Sequence, residues 1–129
     1  MRTSRISIPL VAIIFAATLG VATAAAQEEV GDWATPEQVE RGRAAYEQKC
    51  STCHGSDIVS IFKSFPSAGQ FFGFISTTMP GDAPGSLPAQ QYADIIAYLA
   101  AENGMKTGTE ELPPDPEALN SIRPSEFAQ

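Results

Sequence analysis

Apolar residues recur at helical spacing in three separate stretches of the 129-residue chain. In the first, Val39, Gly42, Tyr46 and Cys50 share one face. Thr35 is placed to cap that helix, Pro36 occupies its first position, and Gln38 completes a capping-box pattern. In the second, Ala68, Phe71, Phe72, Ile75 and Met79 fall at i, i+3, i+4, i+7 and i+11 after Ser67. Pro80 ends it, because the residue before a proline is pushed out of the helical region, so Met79 is expected at the exit in an extended or turn conformation. The third helix starts near Pro88, carries Tyr92, Ile95, Ile96 and Leu99 as its stripe, and stops at Gly104.

Between the first two helices, residues 55–66 read as an irregular loop with apolar anchors Ile58, Ile61, Phe62 and Phe65. "GDAPGSLP" is a loop rich in glycine and proline. The tail after Gly104 carries Pro113, Pro114, Pro116 and Pro124. It is expected to run extended over the surface, with a short helical turn near Glu117 to Ile122. No internal repeat and no convincing strand is present, so the fold class is all-α. Gly42 interrupts a helix at a cost in stability. It is either the point of close approach of a second helix or a tolerated surface glycine.

The N-terminal 26 residues change the picture of the whole. Arg2 and Arg5 precede an apolar run from Ile6 to about Ala22, and Ala24-Ala25-Ala26 fits a signal-peptidase site. An uncleaved anchor is the alternative, since the run is nearly long enough to span a bilayer. Cleavage would leave 103 residues with six basic against 15 acidic side chains, a net charge of −9. Such a surface disfavours nucleic acid and suits a basic partner. The expected layout is a signal peptide at 1–26, an extension at 27–34, one domain at 35–104 and a tail at 105–129.

Candidate chemistry is concentrated in "KCSTCHG", which holds both cysteines, Cys50 and Cys53, and the single histidine, His54. A disulfide between the cysteines would close a very short loop and constrain little. Structural zinc wants four Cys or His ligands, and only three such residues exist. A thioredoxin-like dithiol wants alternating βα patterns, and none is present. C-x-x-C-H is the attachment signature of c-type haem. Two residues between the cysteines let both sulfurs reach neighbouring vinyl groups, and the adjacent imidazole can ligate iron. Met79 is the better candidate for a sixth ligand, because Pro80 turns the chain there. Met105 follows the helix stop in a polar stretch. A His/Met pair leaves no open position, which favours electron transfer over catalysis.

Three segments resemble the class I cytochromes c, the small exported monohaem carriers: "GRAAYEQKCSTCHG", "TTMPGDAPGSL" and "YADIIAYLA". The resemblance covers roughly Thr35 to Gly104. It implies about three main helices around one covalent haem c, with Cys50 and Cys53 as thioethers and His54 and Met79 as axial ligands. It also implies crossing first and last helices, with Gly42 and Tyr46 near Tyr98 and Leu99. "MPGDAPGSL" with "GTEELPPDP" looks further like cytochromes that serve quinoprotein dehydrogenases. The 25-residue step from His54 to Met79 is short for the family and has no Gly-Pro whose carbonyl would accept from the imidazole. Pro66 is the candidate substitute. Phe62, Phe65, Phe71, Phe72 and Phe74 are expected to wall the haem.

The function expected is a periplasmic, monomeric electron carrier, not an enzyme, between a dehydrogenase and an acceptor such as an oxidase. Two alternatives stand beside it: a haem subunit of a larger complex, and a haem enzyme or sensor with a displaceable sixth ligand.

Overall fold

The computed structural model describes residues 33–127. The expected signal peptide at 1–26, its cleavage near Ala26 and most of the 27–34 extension lie outside the described residues. Helix α1 spans Pro36–Lys49, α2 Asp57–Lys63, α3 Ala68–Thr78 and α4 Ala89–Glu102, and 3-10 turns follow at Ala118–Ser121 and Pro124–Glu126. Among the described residues the extended pairing is limited to one isolated bridge, Trp33 with Glu110. The fold is all-α, with four α-helices among the described residues where about three were expected. Among the described residues no helix is long and apolar enough to cross a membrane.

α1 begins as its residues require. Thr35 Oγ1 accepts the Gln38 N–H at 3.1 Å, and Pro36 occupies a first-turn position whose N–H would be unpaired in any case. The capping box is only half formed. The Gln38 side chain does not reach back to the cap but is fully buried. Its Nε2 donates to Asp94 Oδ1 at 3.1 Å and to the Leu112 carbonyl at 3.0 Å, and its Oε1 accepts the Leu112 N–H at 2.7 Å.

α1 and α4 cross at Gly42. A methyl group there would run into the Asp94 carbonyl oxygen and reach Tyr98 Cβ, so the close-approach reading is the right one. Beside the crossing, Arg41 donates from Nε to Asp94 Oδ2 at 3.1 Å and pairs through Nη2 with Glu111 at 2.9 Å. Gln90 Nε2 donates to Asp94 Oδ1 at 3.0 Å. The Asp94 and Glu111 carboxylates hold Arg41 yet more firmly protonated than usual. Further along, the Tyr46 and Tyr98 rings lie 5.5 Å apart, as the expected crossing implies.

Residues 57–63 form a helix rather than part of a loop. Ile58, Ile61, Phe62 and Phe65 are spaced as one helical face, and Phe62 is fully buried. The helix is short and Ser56 makes no side-chain cap bond, so the usual start signal is missing. Asn103 Nδ2 donates to the Val59 carbonyl at 2.9 Å and so ties α2 to the end of α4.

The tail is a structural member, not a surface cover. Its backbone has the expected helical turn, of 3-10 form at Ala118–Ser121, yet Leu112, Leu119 and Ile122 are 0–2% exposed and complete the core. Burial of each such side chain is worth about 1.5–3 kcal/mol. The tail also clasps the start of α3. Ala68 N–H donates to the Ile122 carbonyl at 2.9 Å, and Ser67 Oγ to Asn120 Oδ1 at 2.9 Å. Gly69 has no room for a side chain beneath the Pro116 carbonyl.

Candidate functional site

The ends of α1 and α3 and the cavity-facing residues of α4 enclose a cavity of about 810 Å³. Cys50, Cys53, His54 and Met79 all line it. Its apolar wall includes Ile58, Phe71, Phe74, Ile75, Leu87 and Ile95.

The thiols and the imidazole are delivered by the turn that ends α1. Cys50 caps the helix through its N–H to the Tyr46 carbonyl at 2.8 Å. The Cys53 and His54 N–H groups then both return to the Cys50 carbonyl, at 3.1 and 2.8 Å. Tyr46 fixes the exit of this turn, donating its hydroxyl to the His54 carbonyl at 3.0 Å and the Gly55 carbonyl at 2.8 Å. The two cysteines are free thiols. Burial pushes the Cys50 thiol up, and the neighbouring Cys53 adds to it. A redox dithiol needs the opposite, a thiolate stabilised near neutrality.

Met79 arrives from the other direction in sequence. α3 ends at Thr78, and Met79 follows in extended conformation, φ −122° and ψ 153°, as Pro80 demands. The Met79–Pro80 peptide is cis. The Met79 carbonyl accepts the Tyr92 hydroxyl at 2.6 Å and the Gly85 N–H at 3.1 Å. Gly85 has φ +73°, a conformation that favours glycine. Met105, by contrast, is buried in the core and is not part of the cavity wall.

Two expectations about the wall change. Of the five phenylalanines, Phe71 and Phe74 line the cavity, while Phe62, Phe65 and Phe72 do not. Phe62 packs edge-on against Phe71 at 5.0 Å and near Phe127 at 6.3 Å, and Phe72 edge-on against Tyr92 at 6.2 Å. They support the wall from behind. Pro66 is also absent from the lining, and its carbonyl accepts from Arg123 Nη1 at 3.0 Å.

Among the described residues, no three His, Cys, Asp or Glu side chains converge as a metal-binding cluster, so the zinc alternative has no partners to complete it. Residues 37–99 match the family described as cytochrome C oxidase, cbb3-type, subunit III. This segment is a class I cytochrome c domain. No curated protein and no solved structure matches the chain significantly.

The cytochrome c domain implies haem c as cofactor and electron transfer as its chemistry. The residues fit that group. Two thiols separated by two residues, an adjacent imidazole and a thioether share one mainly apolar cavity, and these are the soft and nitrogen donors haem iron and its vinyl groups accept. The cytochrome c domain also uses two residues that sequence reasoning left without a role at the site. In the sequence Tyr46 stands only as a packing aromatic and Tyr92 only as part of the apolar stripe. The available signal was chemical, since a buried tyrosine hydroxyl must find a partner.

Proposed function

We propose that the protein is an exported monohaem c-type cytochrome that passes single electrons between redox proteins. Cys50 and Cys53 hold the haem covalently as thioethers, and His54 and Met79 are its axial ligands. The observation that supports this reading is the placement of all four donors around one cavity. When bound, the haem supplies a one-electron ferric/ferrous couple, whose potential a thioether ligand raises.

The chain's own contribution is positional. Tyr46 holds the turn that carries the thiols and His54. The apolar wall excludes water, and Met79 fills the position a small ligand would otherwise take. The donor is a periplasmic dehydrogenase, a quinoprotein in the closest form of this reading, and the acceptor a terminal oxidase. The leader read at residues 1–26 underlies the periplasmic assignment.

A second reading is favoured by the family match, whose description is that of an oxidase subunit. In it the domain is a fixed haem subunit of a larger complex. Purification from the native membrane and soluble fractions separates the two. A free monomer supports the carrier, and fixed stoichiometry with other chains supports the subunit.

The cofactor assignment is tested on the protein matured with haem. Haem should stay with the chain through denaturing electrophoresis, and Cys50→Ala with Cys53→Ala should release it. The ferric protein should show the far-red sulfur-to-iron charge-transfer band, and Met79→Ala should remove it. A haem that dissociates on denaturation, or a band that survives Met79→Ala, overturns the corresponding assignment.

A further inference from the structure

The loop from Met79 to Leu87 leaves the end of α3 and returns to the start of α4, and one buried side chain joins its two ends. Tyr92 is 3% exposed and sits in the first turns of α4. Its hydroxyl donates to the Met79 carbonyl at 2.6 Å and accepts the Leu87 N–H at 3.5 Å. Edge-on packing against Phe72 of α3, 6.2 Å between centroids, fixes the ring. The second bond to the Met79 carbonyl comes from Gly85, inside the loop itself. Tyr92 is therefore the side chain that fastens the Met79 backbone to α4.

We propose that Tyr92 is a positioning residue for Met79, a clasp that keeps the thioether in the cavity and so denies the sixth coordination position to small ligands. The proposal rests on the reading of Met79 as an axial ligand. The Tyr92 hydroxyl bonds to the carbonyl of Met79, so it governs where the residue can go. Without the clasp, Pro80 to Ser86, which are half-buried or exposed, have only their internal turn bonds to hold them. The loop would then swing outward more often, and an exogenous ligand would find the position free.

The experiment is a titration of the ferric holoprotein with imidazole, followed through loss of the far-red charge-transfer band. It compares wild type with Tyr92→Phe, Phe72→Leu and Met79→Ala. Tyr92→Phe removes only the hydroxyl, and imidazole affinity should rise about tenfold, the equilibrium effect of one hydrogen bond. Phe72→Leu loosens the ring packing but keeps the hydroxyl, so its affinity should stay near wild type even where its thermal stability falls as far. Met79→Ala should lack the band at the outset. If Met79→Ala keeps the band, the ligand reading fails and the clasp with it. If Met79→Ala loses the band but Tyr92→Phe binds imidazole like wild type, the clasp alone is overturned. Equal gains in Tyr92→Phe and Phe72→Leu at matched stability would show general loosening and overturn it too. A further measurement needs no variant. In the ferrous wild-type protein, NMR should show a slowly exchanging Tyr92 hydroxyl proton, and a rapidly exchanging one overturns the proposal.

Discussion

The Tyr46 hydroxyl donates across two successive carbonyls, His54 at 3.0 Å and Gly55 at 2.8 Å. A helix residue thereby holds the exit of the turn that follows its own helix. Tyr46→Phe removes the donor and leaves both carbonyls without it. A loss of about 1–3 kcal/mol in unfolding free energy is expected, measured by denaturant titration of the holoprotein. Tyr46→Ala also removes the ring packed against Tyr98 and should cost about 3–5 kcal/mol.

Gly42 and Gly73 should respond oppositely to the same change. A methyl at Gly42 meets the Asp94 carbonyl, so Gly42→Ala forces α1 and α4 apart and should cost about 1–3 kcal/mol. At Gly73, inside α3, an added methyl meets nothing, and Gly73→Ala should stabilise by about 1 kcal/mol through helix propensity. Thermal unfolding of the two variants side by side checks the sign of each.

Gln38 makes three bonds in a buried position, two of them to the backbone of Leu112. Gln38→Ala strands the Leu112 N–H and C=O, with an expected loss of about 2–3 kcal/mol. Hydrogen exchange should accelerate first around Leu112, ahead of α4. Truncation after Gly104 removes Leu112, Leu119 and Ile122 together and should prevent a stable fold, read as loss of cooperative unfolding.

Alkaline pH should weaken the α1–α4 crossing. Burial, the largest cause, pushes the Tyr46 hydroxyl up to about 12, and burial likewise raises that of Tyr98. Both groups ionise nearer 10 in an unfolded chain. Their contribution is therefore fully present below pH 10 and is lost as pH rises through the folded values. Denaturant midpoints should be flat from pH 7 to 9 and fall above about 10. Tyr98→Phe should reduce the slope of that fall.

The elements with strong local signals were legible in the sequence. Thr35, Pro36 and Ser67 start helices where their chemistry puts them, and the Met79–Pro80 step ends α3 in extended backbone. Gly104, at φ +93°, follows the end of α4. Cys50, Cys53, His54 and Met79 line one cavity, and Met105 does not. α2 was missed although its apolar spacing is helical, because seven residues between Gly55 and Pro66 resemble punctuation more than an element. The role of the tail had no periodic signal at all. Leu112, Leu119 and Ile122 are buried from an extended chain and a 3-10 turn, where spacing follows the surface they meet. Gln38 misled for a related reason: its sequence position suited a local cap, but partners far along the chain claimed its amide.

Asp94 is engaged on two sides at once. Its carbonyl occupies the space above Gly42, and its carboxylate takes bonds from Gln38, Arg41 and Gln90. Sliding α1 by one turn along α4, about 5.4 Å, would break the contacts from Gly42, Gln38 and Arg41 together. The helices therefore have a single setting. Cys50 sits at the far end of one helix, and Tyr92, the holder of the Met79 backbone, lies on the other. Asp94 thus acts as a gauge: the spacing of two cavity walls is set by a contact in which none of the four donors takes part.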